Sequence, residues 1–512
     1  MNNKKILLLI LDGMGVYKPY YGNAIYDAKT PTLDKLIYDY PNIELGASEQ
    51  YVGLPKGQIG GSEIGHAAIG SGYIIESDIV KINNAIKNKS FYKNKVLLNS
   101  FKNLKANNSL HLIGLLSDGG VHSHINHLFA LLDAIKKNKI KNKVYLHIFT
   151  DGRDVPPKSA IKYITKLKHK ISVLGLMKTV NIASVSGRFY SMDRDNRWAR
   201  LEKIYNVMVN GIGNYADSIN EFIRKSYSKA ITDEFLVPTL LNRHGIVKNN
   251  DTIIYFNFRS DRARELTRAF TDSKFNLFKT KKMKVNFVSF TPYDSNFKNV
   301  KVMFPKQKHK PGLAAIISKK GYKQLRVAET EKFAHVTYFF NLGLEKPYPK
   351  EERILVPSPK VKTYDLKPEM SAEKITDKLI PKLKKDYKLY VVNFANGDMV
   401  GHTGVLKAAI KGVETIDKCV SKILKNVTDD TVVLVTADHG NCDEMVNPDK
   451  SISTSHSLSK VPFIIVSKDK YNLKSLKTAS IANITPTILD ILDLKIPNYM
   501  LASLLKKRKS WN

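Results

Sequence analysis

The chain has 512 residues, too many for one hydrophobic core, so two to four domains are expected. Its 43% hydrophobic and 25% charged residues exclude a disordered chain, and no apolar run approaches the roughly 20 residues that cross a bilayer. A net charge of +35 invites a nucleic-acid role, but lysine is spread along the whole chain without zinc-finger spacing, RNA-binding aromatic pairs or basic heptads. Neither nucleic acid nor membrane is therefore expected as a partner. Two cysteines, Cys419 and Cys442, make no disulfide framework and fit a reducing cytoplasm. Arginine is used differently from lysine. Only 14 of the 82 basic residues are arginine, none precedes Arg153, and nine fall within 153–200 and 259–268. Such a chain keeps the planar guanidinium fork where phosphate or carboxylate must be gripped at two points. An anionic substrate is expected.

Residues 5–11 read as a strand apolar on both faces, the pattern of a buried parallel sheet, and it ends at Asp12. The run is too short for a signal-peptide core, so no export is expected. Thr30 and Pro31 fit the cap and first turn of a helix. The glycine-rich stretch 53–61 then leads into Ser62, where apolar periodicity begins, which puts this serine at a loop-to-helix junction. Free N–H groups at a helix start bind a phosphate, and the dipole, with a metal, lowers the pKa of a hydroxyl nucleophile. An ordinary capping serine has the same local pattern.

From 77 to 310 the texture changes, which points to an inserted domain. Strands are expected at 110–116, 144–150, 181–185 and 252–256, alternating with helices at 125–137 and 158–169, an α/β order with a mostly parallel sheet. His122 follows the first strand, Arg153 and Asp154 the second, Arg188 and Arg194 the third, Arg259 and Arg262 the fourth. Taken singly, each is the kind of residue that makes a surface ion pair. Four sets at one topological position make a polyanion pocket.

The first domain resumes near 311. A strand at 325–328 precedes Lys332, and one at 389–393 precedes Asp398 and His402, which are four apart and so share a helix face. The run 431–435 is another doubly buried strand, ending in Asp438, His439 and Gly440, where open α/β sheets keep their ligands. His456 precedes a strand at 461–465. A closing helix is expected at 479–492, broken or restarted at Pro486, and a basic tail at 506–509. Carboxylates beside imidazoles suit a borderline metal such as manganese or zinc.

The groups Asp12, Ser62, Asp398, His402, Asp438, His439 and His456 exceed the four ligands of a closed structural site and suit two metals sharing a nucleophile. In this order they resemble the alkaline phosphatase superfamily. The motifs LLSDGGVHSH (115–124), DGRDVPP (151–157), SGRFYSMDRDNRW (186–198), FNFRSDRAR (256–264), ETEKFAHVTYF (329–339) and PSPKVKTYDLKPEMSA (357–372) narrow the resemblance, nearly end to end, to the cofactor-independent phosphoglycerate mutases. That resemblance implies two α/β domains, each a mostly parallel sheet flanked by helices. An alkaline-phosphatase-like metal domain would span 1–76 and 311–512, and an inserted substrate-binding domain 77–310.

The resemblance also implies that Asp398, His402 and His456 bind one manganese ion and Asp12, Ser62, Asp438 and His439 another, with Mg2+ or another divalent ion as the alternative. Ser62 would take the phosphoryl group of 3-phosphoglycerate and return it to the 2-hydroxyl of reoriented glycerate, without a bisphosphoglycerate primer. His122, Arg153, Asp154, Arg188, Arg194, Arg259, Arg262 and Lys332 would hold the substrate, with Asp154 relaying protons. The implied form is a cytoplasmic monomer. Because water must not reach the phosphoserine, the arginine domain is expected to close as a lid on hinges near 75–79 and 308–313. Another phosphomutase or a phosphatase of the superfamily would share the metal set but not the arginine motifs. Four departures from the family pattern stand out: Gly61 for Asn, Gly397 for Pro, Ser457 for Thr, and a poorly matching 73–86. Cys442 is either a soft extra ligand or a small packed residue.

Overall fold

The structure is a computed structural model that describes residues 3–16, 21–306, 308–474 and 476–506; residues 507–509 of the basic tail lie outside them. In chain order the strands are β1 (Lys5–Leu11), β2 (Asn42–Leu45), β3 (Leu110–Leu115), β4 (Val144–Thr150), β5 (Val180–Gly187), β6 (Asn214–Tyr215), β7 (Thr239–Leu240), β8 (Thr252–Tyr255), β9 (Asn286–Ser289), β10 (Val300–Val302), β11 (Gln324–Glu329), β12 (Glu351–Val356), β13 (Leu389–Phe394), β14 (Thr431–Thr436) and β15 (Val461–Val466). They form two sheets in two compact units, one of Met1–Ser77 with Lys308–Asn512 and one of Asp78–Gln307.

The sheet of the first unit has the order β12-β11-β13-β1-β14-β15-β2. Its first five strands are parallel, while β15 and β2 run antiparallel to their neighbours. The inner strands β1, β13 and β14 are buried along nearly their whole length, as their largely apolar sequences require, and β11 is buried too although it carries Gln324, Arg326 and Glu329. Solvent-accessible charge marks the edge strands, in the Glu351-Glu352-Arg353 start of β12 and Glu44 of β2, where it discourages pairing with another chain. Because β11, β13, β1 and β14 are neighbours, their carboxyl ends bring Lys332, Asp398, Asp12 and Asp438 to one edge.

The sheet of the second unit has the order β10-β9-β8-β3-β4-β5-β7-β6. It is parallel from β10 to β5, and β7 is antiparallel to β5. Alternate residues feed two cores: Leu110 and Leu112 pack in one, Ile113 and Leu115 in the other. The neighbours β8, β3, β4 and β5 deliver the four arginine- and histidine-bearing turns to one edge.

Helices differ from the sequence expectation mainly at their ends. The helix expected at 125–137 spans Ile125–Lys137. The one expected at 158–169 is Ala160–Val173, because Asp233, distant in sequence, accepts hydrogen bonds from the Ser159 and Ala160 amides (2.7 and 2.8 Å) and sets its start. Thr30 precedes Pro31–Asp39 but makes no side-chain cap; Asp417 accepts from the Leu33 amide at 2.8 Å instead. At the end of the chain, a 3-10 turn over Ile481–Asn483 leads into the helix Ile484–Ile491, so Pro486 lies in a first turn, where its missing N–H is harmless.

A buried polar chain crosses the second sheet. Asp251 Oδ2 lies 3.1 Å from His111 Nε2, His111 Nδ1 lies 2.9 Å from His147 Nε2, and His147 Nδ1 lies 2.8 Å from Ser184 Oγ. Burial lowers both histidine pKa values, and it lowers that of His127 to about 3. A histidine kept neutral in the fold but able to protonate when unfolded stabilises the protein above pH 6.5 and loses that contribution as pH falls toward the folded value. Each such group costs about 1.4 kcal/mol per pH unit in this window. The urea midpoint is therefore expected to fall steadily from pH 7 to pH 4.5, as followed by circular dichroism. An unchanged midpoint across that range would contradict it.

Candidate active site

In the first unit the residues at the sheet edge enclose a cavity of about 420 Å³ lined by Gly61, Ser62, Lys332, Asp398, His402 and His456 among others. Ser62 is the first residue of the helix Ser62–Ser71, with Gly61 as its cap. Its Oγ lies 2.6 Å from Lys332 Nζ, 2.9 Å from His439 Nε2 and 3.2 Å from Asp12 Oδ1. The Lys332 ammonium also donates to Asp12 Oδ1 at 2.7 Å and Asp398 Oδ2 at 2.6 Å, so all three of its N–H groups are engaged. Lys332, expected in the first domain and among the substrate-holding residues, stands at the serine.

The close fit of the loops depends on two glycines. Gly13 has φ +75°, and a Cβ there would sit 2.6 Å from the Asp398 backbone. A Cβ on Gly397 would sit 2.6 Å from the Asp12 carbonyl oxygen. Asp12 and Asp398 are thus brought together by bare backbone on both sides, and Gly397, one of the departures, has no room for a side chain. Gly61 has extended backbone, and a Cβ there would meet only the His456 ring at 3.5 Å, so packing does not demand glycine.

The donor set fits divalent metal ions. His402 Nε2 and His456 Nε2 lie 3.1 Å apart, and both lie 3.1–3.2 Å from Asp398 Oδ1, so three ligand atoms converge on one point. The other ring nitrogen of each histidine is tied to a backbone carbonyl: His402 Nδ1 to Thr454 at 2.7 Å, His456 Nδ1 to Gly60 at 2.9 Å, His439 Nδ1 to Gly440 at 3.2 Å. Donating Nδ1–H to a carbonyl leaves the Nε2 lone pair for a metal. Asp12, Asp398 and Asp438 are three buried carboxylates around one ammonium, and Asp438 Oδ2 has no hydrogen-bond partner. Although burial opposes it, the carboxylates of Asp438, Asp12 and Asp398 lift the His439 pKa to about 10. Burial would likewise raise Asp12, yet Lys332 and His439 hold it well below the carboxylate range. The Lys332 ammonium lies among these carboxylates, which favour positive charge at His439 as well. Cys442 is buried with its Sγ 3.4 Å from the Gly13 carbonyl, and burial pushes its pKa well up, as for a packed thiol.

In the second unit Arg188 is buried, and its Nη1 donates to Asp151 Oδ1 at 2.7 Å and Asp154 Oδ2 at 2.6 Å. Asp151 also accepts from Ser117 Oγ at 2.6 Å and from the amides of Arg153 and Asp154, which fixes the turn carrying Asp154. Asp261 gathers Arg194 (3.3 Å), Arg259 (3.2 Å) and His122 (3.6 Å). Burial, then the neighbouring Arg188, Arg194 and Arg153, pushes the Arg262 pKa down, and burial with Arg188 takes His122 to about 4. Arg188, Arg194, Arg259 and His122 thus each lie beside Asp151, Asp154 or Asp261, and Arg262 donates to the Met192 carbonyl at 2.9 Å. Arg153 pairs only loosely, 3.8 Å from Glu234.

Several participants went unnoticed in the sequence. Asn441 donates to Asp398 Oδ1 at 2.8 Å, Asn393 donates to Asp12 Oδ2 at 2.7 Å, and His66 and His335 stand beside the cluster. Asp151 and Asp261 order the arginines. His66, four residues after Ser62 on the same helix face, carried a readable signal. The asparagines did not.

Two family models match this chain: the BPG-independent PGAM N-terminus over residues 82–295 and sulfatase over residues 381–494. The curated 2,3-bisphosphoglycerate-independent phosphoglycerate mutase of Clostridioides difficile (strain 630) is 48% identical over 507 residues, covering 98% of each chain. Its namesake from Clostridium kluyveri is 48% identical over 512 residues, covering 98% of this chain and 99% of the relative. Among solved structures, Leishmania mexicana phosphoglycerate mutase at low cobalt concentration is 31% identical, with a TM-score of 0.61 and 98% of each chain covered.

Proposed function

The chain belongs to the 2,3-bisphosphoglycerate-independent phosphoglycerate mutase family, and on that premise we propose that it interconverts 3-phosphoglycerate and 2-phosphoglycerate through a phosphoserine at Ser62. The observation that carries the reading is the Ser62 hydroxyl at a helix start, within 3.2 Å of an ammonium, an imidazole and a carboxylate. Asp398, His402 and His456 would hold one manganese ion, and Asp12, Ser62, Asp438 and His439 the other; Mg2+ is the alternative. Bound there, the ions supply Lewis acidity that activates the serine hydroxyl and neutralises phosphoryl oxygens.

Ser62 Oγ, its proton released to solvent, forms the new bond to phosphorus as the bond to the substrate 3-oxygen breaks, and it takes a proton back when the phosphoryl group leaves. The helix amides and Lys332 are placed to take the charge of the transferring group. Asp154 returns a proton to the 3-oxygen and takes one from the 2-hydroxyl before the phosphoryl group goes back. His122, Arg153, Arg188, Arg194, Arg259 and Arg262 hold the carboxylate and phosphate charges of the substrate; bidentate guanidinium contacts fix orientation as well as charge. Asp154→Asn keeps the shape but loses the relay, so kcat should fall by about 10²–10⁴-fold with a much smaller change in KM. Equal loss in both would make Asp154 a binding residue only. We read the protein as a cytoplasmic monomer; among the described residues, no helix is long and apolar enough to cross a membrane.

The test is an enolase-coupled assay of 3-phosphoglycerate conversion with added Mn2+ and no bisphosphoglycerate. Metal-dependent formation of 2-phosphoglycerate supports the mutase. Free phosphate alone identifies a phosphatase, and neither product with metal present rules out this substrate.

A further inference from the structure

We propose that His66 is a positioning residue for the second metal's ligands, acting through Asn393 to decide which oxygen of Asp12 faces the site. The inference rests on the two-metal reading above. His66 is fully buried, one helical turn after Ser62. Its Nε2 lies 3.1 Å from Asn393 Nδ2, and the same Nδ2 donates to Asp12 Oδ2 at 2.7 Å. An amide nitrogen can only donate, so His66 Nε2 must accept and the ring proton must sit on Nδ1. That Nδ1–H is directed at the Ser62 carbonyl oxygen, 2.9 Å away, and stands 3.0 Å from Asp438 Oδ2.

One ring therefore touches two of the four groups assigned to the second ion and reaches a third through Asn393. It braces the turn that carries Ser62, and it abuts the Asp438 oxygen that has no hydrogen-bond partner. Through Asn393 it acts on Asp12. If the amide flipped, its oxygen would oppose both the Asp12 carboxylate and the His66 lone pair, so His66 locks the amide nitrogen toward Asp12. With Oδ2 occupied in this way, Oδ1 is the Asp12 atom left beside Ser62, Lys332 and His439. His66 is close enough to Asp12 and Asp438 to be taken for a ligand itself. Its geometry argues otherwise: Nε2 is used by the amide and Nδ1 carries the proton, so neither nitrogen offers a lone pair. Outer partners of this kind are worth about 10–100-fold in metal affinity.

The experiment is calorimetric titration of Mn2+ into wild type, His66→Leu, His66→Gln and Asn393→Ala, with circular dichroism to check folding. Leucine fills the space without polar atoms, whereas glutamine can place an acceptor near the position of Nε2. Wild type should bind two ions. His66→Leu and Asn393→Ala should bind the Asp398 ion normally and the other about 10–100-fold more weakly, and His66→Gln should recover most of that loss. Wild-type affinity for both ions in His66→Leu, or a glutamine variant no better than leucine, would overturn the proposal. Should the leucine variant not fold, wild-type affinity in Asn393→Ala would overturn it just as directly. A wild type that binds fewer than two ions removes the two-metal reading itself, a separate failure visible before any variant is compared.

Discussion

Ser62→Ala should reduce kcat on the order of 10⁶-fold, the scale seen when a covalent nucleophile is deleted. Lys332, His439 and Asp12 all converge on the serine Oγ, which marks that hydroxyl as the atom that accepts the phosphoryl group and returns it. Water in the gap left by the serine would release phosphate instead of isomerising the substrate. The enolase-coupled signal should therefore vanish while metal binding by Asp398, His402 and His456 persists. Retention of even a few per cent of the isomerisation rate would mean that the phosphoryl group travels by another route.

Lys332→Met should have the second large effect, on stability as well as rate. The ammonium is almost wholly buried, and although burial opposes its charge, Asp12 and Asp398 raise its pKa above the ordinary lysine value. Methionine fills the same space but leaves two buried carboxylates without their cation, a loss of about 3–5 kcal/mol when one partner of a buried pair is removed. The penalty should appear mainly in the metal-free protein, because added Mn2+ restores positive charge to the same carboxylates. Melting in chelator should drop sharply relative to wild type, and melting with saturating Mn2+ should drop much less. Equal losses in both conditions would show that Lys332 supports packing rather than charge. Turnover should also fall, by about 10²–10³-fold, because a cation beside the transferring group is lost.

Much of this arrangement was legible in the chain. The strands at 5–11 and 144–150 and the helix at 125–137 were readable to the residue, because apolar runs buried on two faces and a 3.6-residue stripe depend only on local sequence. The strand-end positions of Asp12, Asp398, Asp438 and His439 followed from the same pattern, since a parallel sheet must leave its carboxyl ends open. What escaped was set by distant partners. Asp233 starts the helix Ala160–Val173 and Asp417 caps Pro31–Asp39, and neither pairing leaves a local trace. The antiparallel strand β15 looks like a parallel one in sequence, because pairing direction is a property of the neighbour, and the short strands β2 and β7 have no apolar run to read. Asn393 and Asn441 escaped for a related reason: an uncharged amide has no signature until the carboxylate it orients is in view. Lys332 was placed in the first domain from its position after the strand at 325–328, but its contact with Ser62 left no local trace.

The most direct test of the central claim is a rapid acid-free quench of the enzyme turning over 3-phosphoglycerate with Mn2+, followed by mass spectrometry of the peptide that carries Ser62. A phosphoryl group on Ser62 that forms within a turnover and disappears on chase, without matching release of free phosphate, is the expected result. Turnover with an unmodified Ser62 peptide, or with the phosphoryl group on a histidine instead, would contradict it.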